Sequence, residues 1–221
     1  MNGKYELVIF DMDGTILYTL DDICDGVNAS LSKHGLPVRT KDEIRRHIGN
    51  GIRHEIESSV PEGTKESMID AVFHDFHAWY EIHCNDRTRP YDGIVELLED
   101  LKQAGIHCAV VSNKADYAVK TLNEIYFKGL LEAGVGEKDG IARKPAPDEV
   151  DEVLRLLNME RNRAVYIGDS EVDIETAANA GMNCIGVSWG YRDRKWLQEC
   201  GAEVIVDDVS QLRQLLLGES L

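Results

Sequence analysis

Two carboxylates, Asp11 and Asp13, stand one residue apart in the segment Asp11-Met12-Asp13-Gly14-Thr15, directly after the apolar run at 5–10. Paired negative charge at the end of a buried strand is costly unless something offsets it. Three further segments carry groups suited to the same chemistry. Ser112-Asn113-Lys114 follows the apolar run at 106–111, and Arg143-Lys144-Pro145 lies in a later loop. Gly168-Asp169-Ser170 follows the run at 164–167, with Asp173 four residues beyond Asp169. Asp11, Asp13 and Asp169 are hard oxygen ligands, few in number, of the kind Mg2+ accepts while it keeps waters and substrate phosphate oxygens. No His or Cys accompanies them, which argues against zinc. Ser112 offers a hydroxyl and backbone N–H donors to phosphate oxygens. Lys144 offers a compact cation able to neutralise a phosphate and a carboxylate nucleophile together. Taken singly, each segment reads as a turn or a helix cap. Taken in order, each at the end of an expected strand or in its loop, they read as a phosphoryl-transfer site.

Such a site needs elements that bring distant segments to one edge. The short bulky run at 5–10 reads as a buried parallel strand. Further strands are expected at 106–111, 130–135, 164–167, 183–187 and 204–206, alternating with helices at 94–104, 116–126, 148–157, 172–180 and 210–217. This alternation demands right-handed crossovers and a parallel sheet covered on both faces, with ligands collecting at the carboxyl ends of the strands. Between the first strand and this series, no strand is expected over 21–83. That stretch reads as helices at 21–34, 40–48 and 66–83, with Thr40 and Glu43 spaced as a capping box and Gly49-Asn50-Gly51 as a turn. The expected architecture is α/β: a Rossmann-like parallel-sheet core over 1–16 and 88–221, with a small all-helical cap over 17–87 inserted after the first strand.

Composition narrows the partners. The chain has 221 residues, 43% hydrophobic and 29% charged, with 24 Lys+Arg against 40 Asp+Glu and a formal net charge of −16. A surface of that sign repels nucleic acid and anionic membranes, and no basic patch is visible. Five scattered cysteines without a CxxC pair fit reduced thiols in a cytoplasmic protein. No signal-peptide pattern or membrane-length apolar run is seen, so a cytoplasmic location is expected.

The four segments together resemble the haloacid dehalogenase-like superfamily of phosphohydrolases. DMDGT at 11–15, VSN at 111–113, RKP at 143–145 and GDSEVD at 168–173 match its motifs in order. Within it, HIGNGIR (47–53), DRTRPYDGI (86–94), VVSNK (110–114) and GVSWGY (186–191) are similar to the bacterial phosphoglycolate phosphatase branch. The resemblance implies Asp11 as nucleophile forming an aspartyl-phosphate, and Asp13 as acid and then base. It implies Mg2+ held by the Asp11 carboxylate, the Asp13 backbone carbonyl and the Asp169 carboxylate, with Asp173 in the outer shell. Ser112, Asn113 and Lys144 would bind the transferring phosphoryl group, and Thr15 would help fix the first loop. Asp13 favours phosphate-ester chemistry over dehalogenation, because dehalogenases and phosphonatases of this superfamily lack an acid there.

The expected substrate is a small phosphorylated metabolite, 2-phosphoglycolate first, met by a monomer or homodimer with no nucleic acid or membrane partner. A sugar phosphate, nucleotide or pyrophosphate phosphatase, a phosphomutase, or a non-catalytic phosphometabolite sensor are the alternatives. A closing cap would exclude water. Arg53, beside the glycine turn, is the candidate for the substrate's carboxylate, against the simpler reading of a solvated helix residue. Tyr18 departs from the superfamily pattern, where an acid usually stands, while Thr19 is placed to cap the first cap helix. His74, His77 and His83 lack zinc-type partners at suitable spacing and read as cap-helix residues.

Overall fold

The computed structural model describes residues 5–218. The reading of residues 1–4 as a short lead into the first strand therefore lies outside the described residues. The strands are β1 (Leu7–Phe10), β2 (Leu17–Tyr18), β3 (Arg89–Pro90), β4 (His107–Ala115), β5 (Ala133–Glu137), β6 (Ala164–Gly168), β7 (Asn183–Val187) and β8 (Ile205–Val206). The helices are α1 (Leu20–Lys33), α2 (Lys41–His47), α3 (Gly51–Ser59), α4 (Glu66–His83), α5 (Ile94–Gln103), α6 (Asp116–Tyr126), α7 (Asp148–Leu157), α8 (Glu171–Asn179), α9 (Arg194–Glu199) and α10 (Val209–Leu217). The chain divides into two compact units, one comprising residues up to Leu17 and from Pro90 onward, the other Tyr18–Arg89. It passes between them through β2 and β3, which pair with each other.

The first unit is built on a six-stranded sheet in the order β5-β4-β1-β6-β7-β8, parallel at every ladder. Alternation along β1 explains its two covered faces. Val8 and Phe10 join the cluster with Ile94, Leu97, Leu98 and Leu101 of α5, Val119 and Leu122 of α6, and Leu212 and Leu216 of α10. Leu7 and Ile9 face the other way, onto Val150, Val153 and Leu154 of α7 and Ala177 of α8. Successive side chains on a strand point to opposite faces, so a strand buried on both must be apolar throughout. The chain first builds outward from β1 to β5, then returns to build β6–β8 on the other side. Such a reversal opens a crevice at the strands' carboxyl ends, and there β1 delivers Asp11.

Two strands differ from expectation. β4 runs on through Ser112, Asn113 and Lys114 to Ala115, with a register shift against β5 between Ser112 and Ala115. β5 begins at Ala133 rather than near 130. The residues before it are spent in a turn, where Leu130 and Leu131 both donate to the Phe127 carbonyl.

The second unit is helical. Val27, Leu31, Ile44, Ile56, Val72, Phe76 and Tyr80 are among its buried apolar residues. Of the stripe on α4, Val72, Phe76 and Tyr80 are buried, whereas Ile69, Phe73 and Trp79 are half-buried. Thr40 and Glu43 form the full reciprocal capping box at α2. Thr19 sits at the N-cap of α1 but makes no side-chain capping bond. Its backbone is already helical, with φ −115° and ψ −3°, whereas a capping side chain is aimed from an extended one. The Tyr18 hydroxyl donates to Asp21 at 3.2 Å, and the Arg89 guanidinium lies 4.3 Å from the centre of its ring. Fully buried Asp22 accepts from the Arg87 N–H at 2.9 Å and from the Thr88 N–H and hydroxyl at 2.8 Å. It thereby ties the start of α1 to the returning strand. Among the described residues no helix is long and apolar enough to cross a membrane, and no disulfide joins any of the five cysteines.

Candidate active site

The register of the sheet sets the site. Phe10 pairs with Val110 and with Ile167, so the residues that follow on β1, β4 and β6 emerge side by side. The Asp11 N–H donates to the Ile167 carbonyl at 2.8 Å, which holds Asp11 on the line of β1. The capping box of α8, in which the Ser170 N–H and hydroxyl donate to Asp173, turns the chain after β6 and fixes Asp169 beside Asp11. Oxygen atoms of Asp11, Asp169 and Asp173 all lie within 4.8 Å of one another, and the three residues are buried.

One ammonium holds this cluster together. Lys144, brought in by the loop before α7, donates at 2.8 Å to Asp11 Oδ1, at 2.8 Å to Asp173 Oδ1 and at 3.2 Å to the Tyr166 hydroxyl. Burial alone would discharge such a lysine, but Asp11 and Asp173 hold its pKa well above the ordinary value. Asn113 donates its side-chain amide to the Lys144 carbonyl at 3.0 Å, so it steadies the loop that carries the cation. Asp169 is held from both sides. Its Oδ1 accepts from the Thr15 hydroxyl at 3.1 Å and its Oδ2 from the Tyr191 N–H at 2.6 Å.

Lys144 meets two of the three clustered carboxylates, Asp11 and Asp173, so negative charge is left uncompensated. Burial pushes the Asp11 carboxyl up to about 7; Lys144 opposes that rise, while Asp173 and Asp13 add to it. Burial and the charges of Asp173 and Asp11 likewise raise Asp169. A hard divalent cation is what an all-oxygen, buried, anionic cluster of this kind fits. Asp13 stands apart. Its carboxylate takes Lys114, which donates at 2.9 and 3.1 Å to its two oxygens. The two members of the Asp-x-Asp pair are thus given different cations.

The expected residues Asp11, Asp169, Asp173 and Lys144 are brought together, and Ser112 and Asn113 lie buried on the adjoining strand. Arg53 lies in the other unit, on α3. Its guanidinium is engaged by Glu57, Glu66 and Asp70 and rests 5.5 Å from the Phe73 ring centre. Each of its three nitrogens meets one of those acids, as in the simpler reading of Arg53 as a helix residue on the surface.

Sequence reasoning gave no role to Lys114 or Tyr166. A lysine two residues beyond Ser112 was visible as a signal, and so was a hydroxyl in the otherwise apolar β6. Tyr191 acts through its main-chain N–H, which no side-chain pattern announces. The segment Trp189-Gly190-Tyr191 is nonetheless part of the site, since the Trp189 indole also donates to the Thr15 carbonyl at 3.1 Å. Gly190 permits this approach. A Cβ there would lie 2.3 Å from Asp169 Oδ2 and 2.4 Å from the Gly14 carbonyl oxygen. Gly190→Ala is therefore expected to lower stability by about 1–3 kcal/mol, read as a drop of several degrees in Tm. An unchanged Tm would show that this loop yields freely.

A profile of the haloacid dehalogenase-like hydrolase family matches residues 8–187. A phosphoglycolate phosphatase of Mesorhizobium japonicum is 33% identical over 196 residues, 85% of each chain. An N-acetylmuramic acid 6-phosphate phosphatase of Pseudomonas aeruginosa is 29% identical, covering 96% of this chain and 95% of that one. Among solved structures, a candidate phosphoglycolate phosphatase from Lactobacillus delbrueckii subsp. bulgaricus superposes with a TM-score of 0.92 at 38% identity, covering 98% of this chain and 100% of that one. Together with the buried aspartate cluster at the carboxyl edge of the sheet, these likenesses show that the chain is an enzyme of the haloacid dehalogenase-like hydrolase family.

Proposed function

We propose that the protein is a Mg2+-dependent phosphatase that hydrolyses a small phosphomonoester through an aspartyl-phosphate. The observation that carries this reading is the division of charge in the Asp-x-Asp pair: Asp11 sits in the anionic cluster with Lys144, and Asp13 stands off on Lys114. In the first step an Asp11 carboxylate oxygen attacks phosphorus, and the bond from phosphorus to the leaving oxygen breaks. Asp13 passes a proton to that oxygen as the alcohol departs. In the second step Asp13, now a carboxylate, takes a proton from water, which attacks the same phosphorus and frees phosphate and Asp11. Lys144 and the Ser112 hydroxyl are the donors for the transferring phosphoryl oxygens. Asn113 contributes by holding Lys144 in place.

Asp11, Asp169 and the Asp13 main-chain carbonyl would hold Mg2+, with Asp173 behind them, already engaged by Lys144 and Ser170. When bound, the ion supplies charge stabilisation to the phosphoryl oxygens. EDTA is expected to remove phosphate release and excess Mg2+ to restore it. The ion should also raise the Tm of the resting protein, because it binds the folded site and not the unfolded chain. Full activity in EDTA would defeat the metal assignment.

The substrate class is a small phosphomonoester with a carboxylate on the leaving group, and 2-phosphoglycolate is the leading member. Support comes from relatives named for phosphoglycolate and for N-acetylmuramic acid 6-phosphate, both esters of hydroxy acids. A phosphate-release panel should contain both, together with neutral sugar phosphates. A kcat/KM for 2-phosphoglycolate no higher than for neutral esters would remove that substrate and leave the phosphatase standing. A phosphorylated isomer in place of free phosphate would point to a mutase.

A further inference from the structure

Lys114 is a buried cation for which the phosphoryl chemistry above has no direct use. Its side chain is 4% exposed, so its ammonium has given up nearly all hydration and requires a fixed acceptor. That acceptor is Asp13, 101 residues away in sequence, and both of its oxygens are contacted by the one Nζ. A carboxylate contacted in this way keeps both oxygens turned towards the ammonium.

The main chain beneath Lys114 is equally constrained. It lies in the stretch of β4 where pairing with β5 shifts register between Ser112 and Ala115. Gly136 on β5 comes so close that a Cβ there would lie 2.6 Å from the Lys114 carbonyl oxygen and 2.6 Å from Asp116 Cα. The Gly136 N–H donates to the Asp116 carboxylate at 3.2 Å, which closes this junction. The main chain that carries Lys114 is thus closely packed at the point where the register shifts, and its side chain reaches Asp13 after β1.

We propose that Lys114 is a positioning residue that holds the Asp13 carboxyl in the orientation from which it passes a proton to the leaving oxygen. It rests on the phosphatase reading above and adds to it a second cation with its own task. Lys144 serves the nucleophile and the transferring group, and Lys114 serves the proton donor. Because each carboxylate has its own ammonium, Asp13 is not drawn into the Asp11 cluster. In the proton-passing step Asp13 enters as the neutral acid, carrying the proton it took from water in the preceding turnover; its O–H bond breaks as the O–H bond of the product alcohol forms. The carboxylate left behind is then received by the ammonium already in place.

The test exploits leaving groups that differ in their need for a proton. An alkyl phosphate leaves as an alkoxide and requires one; p-nitrophenyl phosphate leaves as a stable phenolate and does not. Single-turnover release of the leaving group isolates this step from hydrolysis of the intermediate. Lys114→Met is expected to slow alcohol release from the alkyl ester by about 30-fold or more, as misplacement of a reacting group does. Release of p-nitrophenolate should fall by less than about 3-fold, with the alkyl-ester KM changed less than about 2-fold. Lys114→Arg, which keeps the charge with a different fork, should give an alkyl-to-aryl ratio between wild type and Lys114→Met. Equal loss on both esters, or a rise in KM alone, would overturn the positioning role. If Lys114→Met does not fold, Lys114→Arg decides: a ratio unchanged from wild type overturns it. Asp13→Asn separates the two levels of inference. If it spares the alkyl ester, the phosphatase mechanism itself falls; if it is selectively impaired while the Lys114 variants are not, only the role of Lys114 falls.

Discussion

Asp11→Asn is expected to lower phosphate release by roughly ten-thousand-fold or more while leaving the protein folded, with a higher Tm than wild type in EDTA. The loss is large because the amide cannot form the bond to phosphorus, and removal of a nucleophile costs several orders of magnitude even when binding groups remain. The gain in stability has a separate cause. Asp11, Asp169 and Asp173 are buried together, with the ammonium of Lys144 on Asp11 and Asp173, and burial pushes Asp11 up to about 7 from 3.8. For a carboxyl raised in this direction, the folded state holds its proton more tightly than the unfolded chain. Its contribution to stability is full below pH 3.8 and is lost as pH rises through about 7. At pH 8 without a divalent ion, the wild-type protein bears that cost and the asparagine variant does not. Sites built for chemistry commonly carry such a penalty. Stopped assays with 2-phosphoglycolate, paired with melting curves with and without Mg2+, would test both halves. Residual turnover within a hundredfold of wild type would remove Asp11 as nucleophile. A lower Tm would show that the Asp11–Lys144 contact outweighs the repulsion.

The second large effect lies behind the site, at Glu149. This residue stands in the first turn of α7 and is fully buried, and among the described residues neither carboxylate oxygen has a hydrogen-bond partner. Burial pushes its pKa up to about 8 from 4.5; Lys144 opposes the rise, while Glu137 and Asp11 add to it. By the same sign argument, its contribution is fully present below pH 4.5 and lost as pH rises through about 8. Each pKa unit is about 1.4 kcal/mol, so ionisation by pH 8 removes on the order of 4 kcal/mol. Glu149→Gln keeps the shape and cannot ionise. Its stability should match wild type near pH 5 and exceed it by several kcal/mol at pH 8, measured by urea unfolding at both values. The other titrating groups are common to both proteins and cancel in the difference. Parallel pH dependences would mean that Glu149 finds a partner or opens to water at alkaline pH.

The core's elements were legible because their signals are local. Apolar runs with alternating turn residues marked β1, β6 and β7 and the helices α5, α6 and α7 to within a residue or two. The capping pair Thr40 and Glu43 acted as its spacing predicts. Errors fell where strand pairing or the exact course of a turn decides. β4 extends past Val111 because β5 offers it a partner with shifted register, and the residues before β5 turn because Phe127 accepts two hydrogen bonds from them. Thr19 misses its cap because its own backbone is already helical.

By residue type and order, the sequence determined the family, the parallel-sheet core and the helical insert, and it singled out Asp11, Asp13, Lys144 and Asp169 as the candidate site. Those depend on which groups can carry charge and donate protons, and residue type states that directly. Only the tertiary structure decided which cation meets which carboxylate. Lys144 and Lys114 are interchangeable in composition, and pairing across more than a hundred residues depends on the sheet's register, its shift between β4 and β5 and a glycine on the neighbouring strand. The same holds for Arg53, whose positive charge is plain in the sequence. Only folding shows that three acids of its own unit have already taken it.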